Sequence, residues 1–202
     1  MKQLFTELAE AFCLEGVVTD YSVISNGNIN ATYDVTLTRA GEERHFVFQK
    51  VNIFVFNNPK RIMKNIDRIT AHIADKLEQA GKSRDGVMHF AKTAAGKNYY
   101  MEEQGFWRVS EYVPNTVTYN ACDDLEKQKS AGRAFGEFQT MLSDFDASLL
   151  YETIPNFHNT RSRIAVFMRH VNEDPCGRAD EVVAEIEAIR GFRAQEIGRA
   201  HV

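Results

Sequence analysis

The sequence predicts an α+β chain, with an antiparallel sheet and two helices over residues 1–113 and a mostly helical part over residues 114–195. Apolar and polar residues alternate with period two between Val17 and Val51, the pattern of half-buried strands. Ile62, Ile66, Ile69, Ile73 and Leu77 recur every three or four residues, which puts them on one face of a helix. Beyond Pro114-Asn115 the strand pattern stops and helical spacing takes over.

The elements follow in order. Apolar residues from Leu4-Phe5 to Phe12-Cys13-Leu14 fall at helical spacing, and Glu15-Gly16 is expected to end that helix. Residues 19–25, 31–38 and 44–51 read as a three-stranded meander, with turns at Asn26-Gly27-Asn28 and Arg39-Ala-Gly-Glu42. Asn57-Asn58-Pro59 opens a helix, with proline in its first turn, that runs to about residue 79. Residues 81–85 form a polar loop. Residues 87–92, 98–102 and 106–112 read as further strands, the last two joined at Glu103-Gln104-Gly105. Asp123-Asp124 caps a long helix in which Ala131, Phe135, Phe138 and Leu142 are expected to form a buried stripe. Residues 151–159 are irregular around Pro155, and residues 161–171 and 178–189 read as two helices joined by Asp174-Pro-Cys-Gly177.

Composition limits the function classes. At 202 residues, 44% hydrophobic and 26% charged, the chain can bury a real core. No run approaches the roughly 20 apolar residues of a membrane span, and the N-terminus turns polar too early for a secretory signal, so a cytoplasmic protein without membrane partners is expected. Cys13, Cys122 and Cys176 are far apart and lack metal-ligand spacing, which predicts reduced thiols and no cysteine-held metal. A net charge of −4 with interspersed signs argues against nucleic acid as a partner. Oligomeric state is not encoded in any of these features.

Several runs resemble a known family. Gly27-Asn-Ile-Asn-Ala-Thr-Tyr33, Phe48-Gln-Lys-Val-Asn52, Val55-Phe-Asn-Asn-Pro59 and Ser110-Glu-Tyr-Val113 are similar to segments of the aminoglycoside-phosphotransferase-like kinases. So are Ala131-Gly-Arg-Ala-Phe-Gly-Glu-Phe-Gln139 and Glu152-Thr-Ile-Pro-Asn-Phe-His-Asn-Thr160, and together they look most like bacterial N-acetylhexosamine 1-kinases. The resemblance covers residues 1–190. It implies a protein-kinase-like fold, with a nucleotide-binding N-lobe over residues 1–113 and the beginning of a helical C-lobe over residues 114–195.

It also implies ATP and Mg as cofactors, with a sugar hydroxyl as acceptor. Phosphoryl transfer needs backbone amides near the phosphates, a cation on the α/β oxygens, hydrogen bonds to the base and an aspartate at the acceptor. Gly27, Asn28 and Asn30 are expected at the phosphates, the glycine admitting close backbone approach and the asparagines accepting turn geometry. Lys50, in an apolar strand with Phe48 and Asn52 on its face, is the expected phosphate cation, and Asp67 on the next helix its orienting acid. The carbonyl of Glu111 and the amide of Val113 are expected to read the adenine edge between walls of Ile24, Val35 and Phe48. Thr116, Thr118 and Tyr119 would face the cleft mouth.

Other groups read as structural. Asp144-Phe-Asp146 follows a helix end and is expected to cap or to be solvated, His72 and His170 to pack or face solvent, and His158 to shape the acceptor side of the cleft.

None of the six histidines begins a His-x-Asp triplet, so the catalytic aspartate that the resemblance implies is expected beyond the chain end, leaving no catalytic or metal-binding residue here. Ile197-Gly-Arg-Ala-His-Val202 can be written as ATC GGA AGA GCA CAC GTC, which resembles a sequencing adapter, so residues 196–202 are expected to be a non-native tail. The parent protein is then expected to transfer the γ-phosphate of ATP to the anomeric hydroxyl of an N-acetylhexosamine, while this chain is inactive alone. An aminoglycoside- or choline-type phosphotransferase and a non-catalytic nucleotide-binding module remain as alternatives.

Overall fold

Three long strands form where the period-two pattern lies: β1 (Val17–Ile24), β2 (Ala31–Arg39) and β3 (Glu42–Lys50). The computed structural model describes residues 1–192 except Asn26, Gln104, Asn120, His158 and the side chain of Asp85, so the expectations for Asn26, His158 and residues 196–202 lie outside the described residues. The described chain divides into two compact units, the first ending at Thr153 and the second beginning at Ile154.

In the first unit, helix α1 (Lys2–Ala11) precedes the meander, α2 (Pro59–Gln79) follows it, and β4 (Tyr100–Glu102) and β5 (Gly105–Glu111) complete the sheet. All pairings are antiparallel and the strand order is β1-β2-β3-β5-β4. The strand expected over residues 87–92 is reduced to one bridge, Phe90 to Ser110, with the Ala91 amide donating to the Val109 carbonyl at 2.9 Å. That segment lies along β5 without completing a ladder.

Pleating sends alternate residues to opposite faces. Val35, Leu37, Phe46, Phe48, Trp107 and Val109 point to one face, where Phe5, Leu8, Ala9 and Phe12 of the α1 segment cover them. Phe5 is the centre of an aromatic cluster, with ring centroids 5.1 Å from Tyr21, 5.0 Å from Tyr33, 5.7 Å from Phe48 and 6.3 Å from Trp107. The opposite face packs on α2 through Val51, Phe106 and Met63. A third cluster joins Ile73 and Leu77 of α2 to Val87, Met141 and Leu142.

Helix α1 ends earlier than the sequence pattern indicates. Cys13 adopts a left-handed conformation (φ 53°), its amide donating to the Glu10 carbonyl while the Leu14 amide donates to that of Ala9. This closes the helix two residues after Ala11, in the place usually taken by glycine. Helix α2 begins as expected, with the Asn58 side chain accepting from the Arg61 amide at 3.3 Å and Pro59 in its first position.

Helix α3 (Leu125–Met141) is capped by Asp124, which accepts from the amides of Glu126 and Lys127. The expected buried stripe is corrected here. Phe135 is 72% exposed and Phe138 46%, and among its described residues α3 buries none. Packing is confined to the end of the helix, where Met141 and Leu142 reach the cluster of Ile73 and Leu77. Asp144 bonds Lys76 and His72, the His72 ring lies edge-on to Phe145, and Asp146 caps the 3-10 turn Ala147–Leu149.

In the second unit, α4 (Thr160–Glu173) is capped by Asn159, and Asp174 ends it in a left-handed conformation. The Asp174 carboxylate accepts from the amides of Arg178 and Ala179, leading through a 3-10 turn (Ala179–Val182) into α5 (Val183–Phe192). Among the described residues, no helix is long and apolar enough to cross a membrane.

Two outcomes test this architecture. Phe5→Ala removes the centre of the aromatic cluster and is expected to cost about 3–5 kcal/mol, read as a lower urea midpoint. The hydrogen bond from Lys76, joined by one with His72, holds the Asp144 carboxyl below its ordinary range. Its stabilisation is therefore present above the unfolded value near about 4 and is lost as pH falls through the lower folded value. Asp144→Asn should lower Tm at pH 7, and the gap to the native chain should close with acidification.

Candidate functional site

Face parity decides which side chains can meet a ligand on the α2 side of the sheet. Thr32 on β2 pairs with Gln49 on β3, and Gln49 pairs with Arg108 on β5, so the three form a row across that face. Gln49 is the hub. Its Oε1 accepts from Arg108 Nε at 2.9 Å and Nη2 at 2.6 Å, and its Nε2 donates to Thr32 Oγ1 at 2.9 Å. Asn30 Nδ2 also reaches Gln49 Oε1 at 3.4 Å, and Asn30 Oδ1 accepts from the Asn52 amide at 2.9 Å. These bonds tie the loop between β1 and β2 to the end of β3.

Arg108 is a half-buried cation. Its guanidinium carbon lies 5.6 Å from the Phe90 ring centroid, and Nη1 approaches Met63 Sδ at 3.9 Å. Among the described residues no carboxylate forms an ion pair with it. Burial pushes its pKa down from the ordinary arginine value, and an arginine guanidinium keeps its charge in proteins. A neutral amide oxygen shared by two N–H groups orients the cation without neutralising it.

Arg108 opens into a cavity of about 280 Å³, lined also by Val47, Gln49, Phe90 and Ser110 and, further along the chain, by Glu111, Tyr112, Val113 and Thr116. The Glu111 amide donates to His89 and the Tyr112 amide to His45. The Val113 carbonyl accepts from Thr116 Oγ1 at 3.2 Å, which folds the chain back over the end of β5. The cavity thus runs from a cation to the exposed residues Glu111–Val113. Glu111 is three residue steps from Arg108, roughly 10 Å along an extended strand.

The sequence-predicted residues divide between two places. Glu111 and Val113 line this cavity, and Asn30 reaches it through Gln49. Gly27 and Asn28 lie exposed in the loop that Asn30 anchors, and a Cβ placed on Gly27 would meet nothing within 4 Å. Lys50 is elsewhere. Its cross-strand partner is Trp107, its ammonium lies 6.0 Å from the Trp107 ring, and a Cβ on Gly105 would meet its Cε at 2.6 Å. It therefore belongs to the α1 face, whereas Asp67 rides on α2 across the sheet and accepts from Asn98 Nδ2 at 2.6 Å. The expected Lys50–Asp67 pair is not formed, because one residue of pleat parity separates the two faces. The same parity corrects the expected apolar walls: Val35 and Phe48 are wholly buried under α1, and Val47 and Phe90 line the cavity instead.

Arg108 and Gln49 line this cavity without having been singled out in the sequence. The available signal was an arginine between Trp107 and Val109 in an otherwise apolar strand, the same kind of signal that singled out Lys50. Among the described residues, no group of three His, Cys, Asp or Glu side chains converges to hold a metal ion. No known protein-family model matches the chain.

The hub makes an asymmetric prediction. Gln49→Leu leaves the guanidinium without its oxygen partner and should lower stability by about 1–3 kcal/mol. Arg108→Met removes the charge while keeping the stem, and should leave the denaturation midpoint unchanged or raised.

Proposed function

We propose that this chain is the nucleotide-binding part of an ATP-dependent small-molecule phosphotransferase of protein-kinase-like fold, whose acceptor is the anomeric hydroxyl of an N-acetylhexosamine. The observation that carries the nucleotide half is the position of Arg108. It stands on the α2 face, about 10 Å along β5 from the exposed residues Glu111–Val113. That spacing suits a nucleoside with its base at the bend and its first phosphates at the guanidinium. Strand order β1-β2-β3-β5-β4, with α2 inserted between β3 and β4, supports the kinase-like reading.

In this reading the Glu111 carbonyl and the Val113 amide pair with the base, and Val47 and Phe90 pack on its faces. Arg108, oriented by Gln49, takes the phosphate charge in place of Lys50. The loop carrying Gly27 and Asn28, anchored by Asn30, closes over the phosphates with its backbone amides. The described residues offer Mg no seat of their own, so the cation would enter with the nucleotide. The acceptor and the cytoplasmic location rest on the sequence resemblance. Lacking a His-x-Asp triplet, the chain should bind nucleotide without transferring phosphate.

Calorimetric titration with Mg-ATP separates the two candidate cations. Saturable one-to-one binding is expected, weakened tenfold or more by Arg108→Gln and unchanged by Lys50→Ala. Absence of binding by a folded chain would refute the reading, and sensitivity to Lys50 with indifference to Arg108 would return the phosphates to the other face.

A further inference from the structure

A second cavity, of about 620 Å³, opens at the other end of β5, between the first half of α2 and the turn before β4. Its walls are basic. Lys60, Arg61 and Lys64 come from α2 and Lys97 from the turn, against a single carboxylate, Asp67. This concentration of cations occurs in a chain whose net charge is −4. Helix α2 has no acidic residue in its first turn, where acids are favoured by the helix dipole, so Lys60 and Arg61 stand against the local field.

The cavity is also rigidly built. Tyr151 is fixed by a reciprocal pair of bonds with Asn65: Asn65 Nδ2 donates to the Tyr151 carbonyl at 2.8 Å, and the Tyr151 amide donates to Asn65 Oδ1 at 2.9 Å. Arg68 donates to the Leu149 carbonyl and holds the same segment. The Tyr151 ring then collects three cations, with Arg61 at 5.0 Å, Lys64 at 5.9 Å and Arg68 at 5.2 Å from its centroid. On the opposite wall Tyr99 stacks on Phe106 at 4.9 Å, and buried Asn98 bonds both Asp67 and the Met63 carbonyl. A ligand would find these groups already placed, which lowers the ordering cost of binding.

We propose that this cavity binds a phosphorylated small molecule, with Lys60, Arg61, Lys64 and Lys97 taking the phosphate and Tyr151 flanking the remainder of the ligand. Four cations against one carboxylate suit a group carrying at least two negative charges. Arginine supplies paired donors and lysine point charges, the combination that phosphate oxygens use. The volume falls within the roughly 300–1,000 Å³ of small-molecule pockets, which favours a compact ligand over an acidic peptide laid on an open surface. The site shares no lining residue with the cavity at Arg108, so the inference stands independently of the nucleotide reading.

The test uses inorganic pyrophosphate and the 202-residue chain. Calorimetry in the Arg108→Gln background should give saturable one-to-one binding, weakened tenfold or more by the combined change Lys60→Gln, Arg61→Gln and Lys64→Gln. Lys97→Gln alone, on the turn outside the helix, should weaken it severalfold and serves if the triple variant does not fold. Loss of binding on Arg108→Gln, its survival in the triple and Lys97 variants, or no saturation at all would overturn the site. Tighter binding of an oligoglutamate peptide than of pyrophosphate would overturn the ligand class.

Discussion

Phe5 decides which face of the sheet is core. Its ring meets Tyr21, Tyr33, Phe48 and Trp107, residues of β1, β2, β3 and β5, so one helix residue links the four longer strands. Aromatic pairs of this kind contribute about 0.5–1.5 kcal/mol each beyond the area they bury. Once α1 is seated, pleat parity leaves no choice elsewhere: Phe46 and Phe48 go under α1, and Val47 and Gln49 face α2. The row Thr32-Gln49-Arg108 is thus placed by a contact on the other side of the sheet.

That placement sets two demands against each other. A guanidinium on a covered face loses hydration, and the Gln49 oxygen returns only part of it, so the arrangement gives less stability than an apolar residue of the same length would. What the fold obtains is an oriented charge whose field no carboxylate cancels among the described residues. Such a group attracts an anion more strongly than a solvent-exposed lysine does, because the surroundings screen it less. Lys50 is a cation of the second kind, exposed at the end of the central strand β3 over Trp107.

Much of the fold was legible in the sequence because local rules govern it. Asn58-Pro59 starts α2 and Asp124 starts α3, since a side-chain oxygen accepts from an amide two or three residues on. The meander follows from alternation and turns. What alternation cannot supply is parity, because a strand such as Phe46-Val-Phe-Gln-Lys-Val carries large apolar side chains on both faces. The choice between Lys50 and Gln49 for the α2 side is made by α1, more than thirty residues away, and the site inherits that choice. Helix α3 shows the complementary limit: Ala131, Phe135 and Phe138 recur at helical spacing, but periodicity names a stripe and not the surface that meets it. The end of α1 failed for a third reason. Cys13 takes the left-handed position through backbone bonds to Glu10 and Ala9, and nothing in its side chain announces that.

Helix α2 shows how the two cavities share one scaffold without sharing charge. Its buried stripe, Met63, Ile73 and Leu77, is continuous with the core and fixes the helix against the sheet. The other side of its first half, which meets Leu149 and Tyr151, carries Lys60, Arg61, Lys64 and Arg68. Like charges four residues apart, such as Lys60 with Lys64 and Lys64 with Arg68, cost an isolated helix about 0.2–0.5 kcal/mol per pair. A face selected for helix stability alone would alternate signs, as Glu126 and Lys129 do on α3. Met63 joins the two regions physically, with its sulfur on Arg108 and its carbonyl on Asn98. The two cavities therefore rest on the same turn of helix.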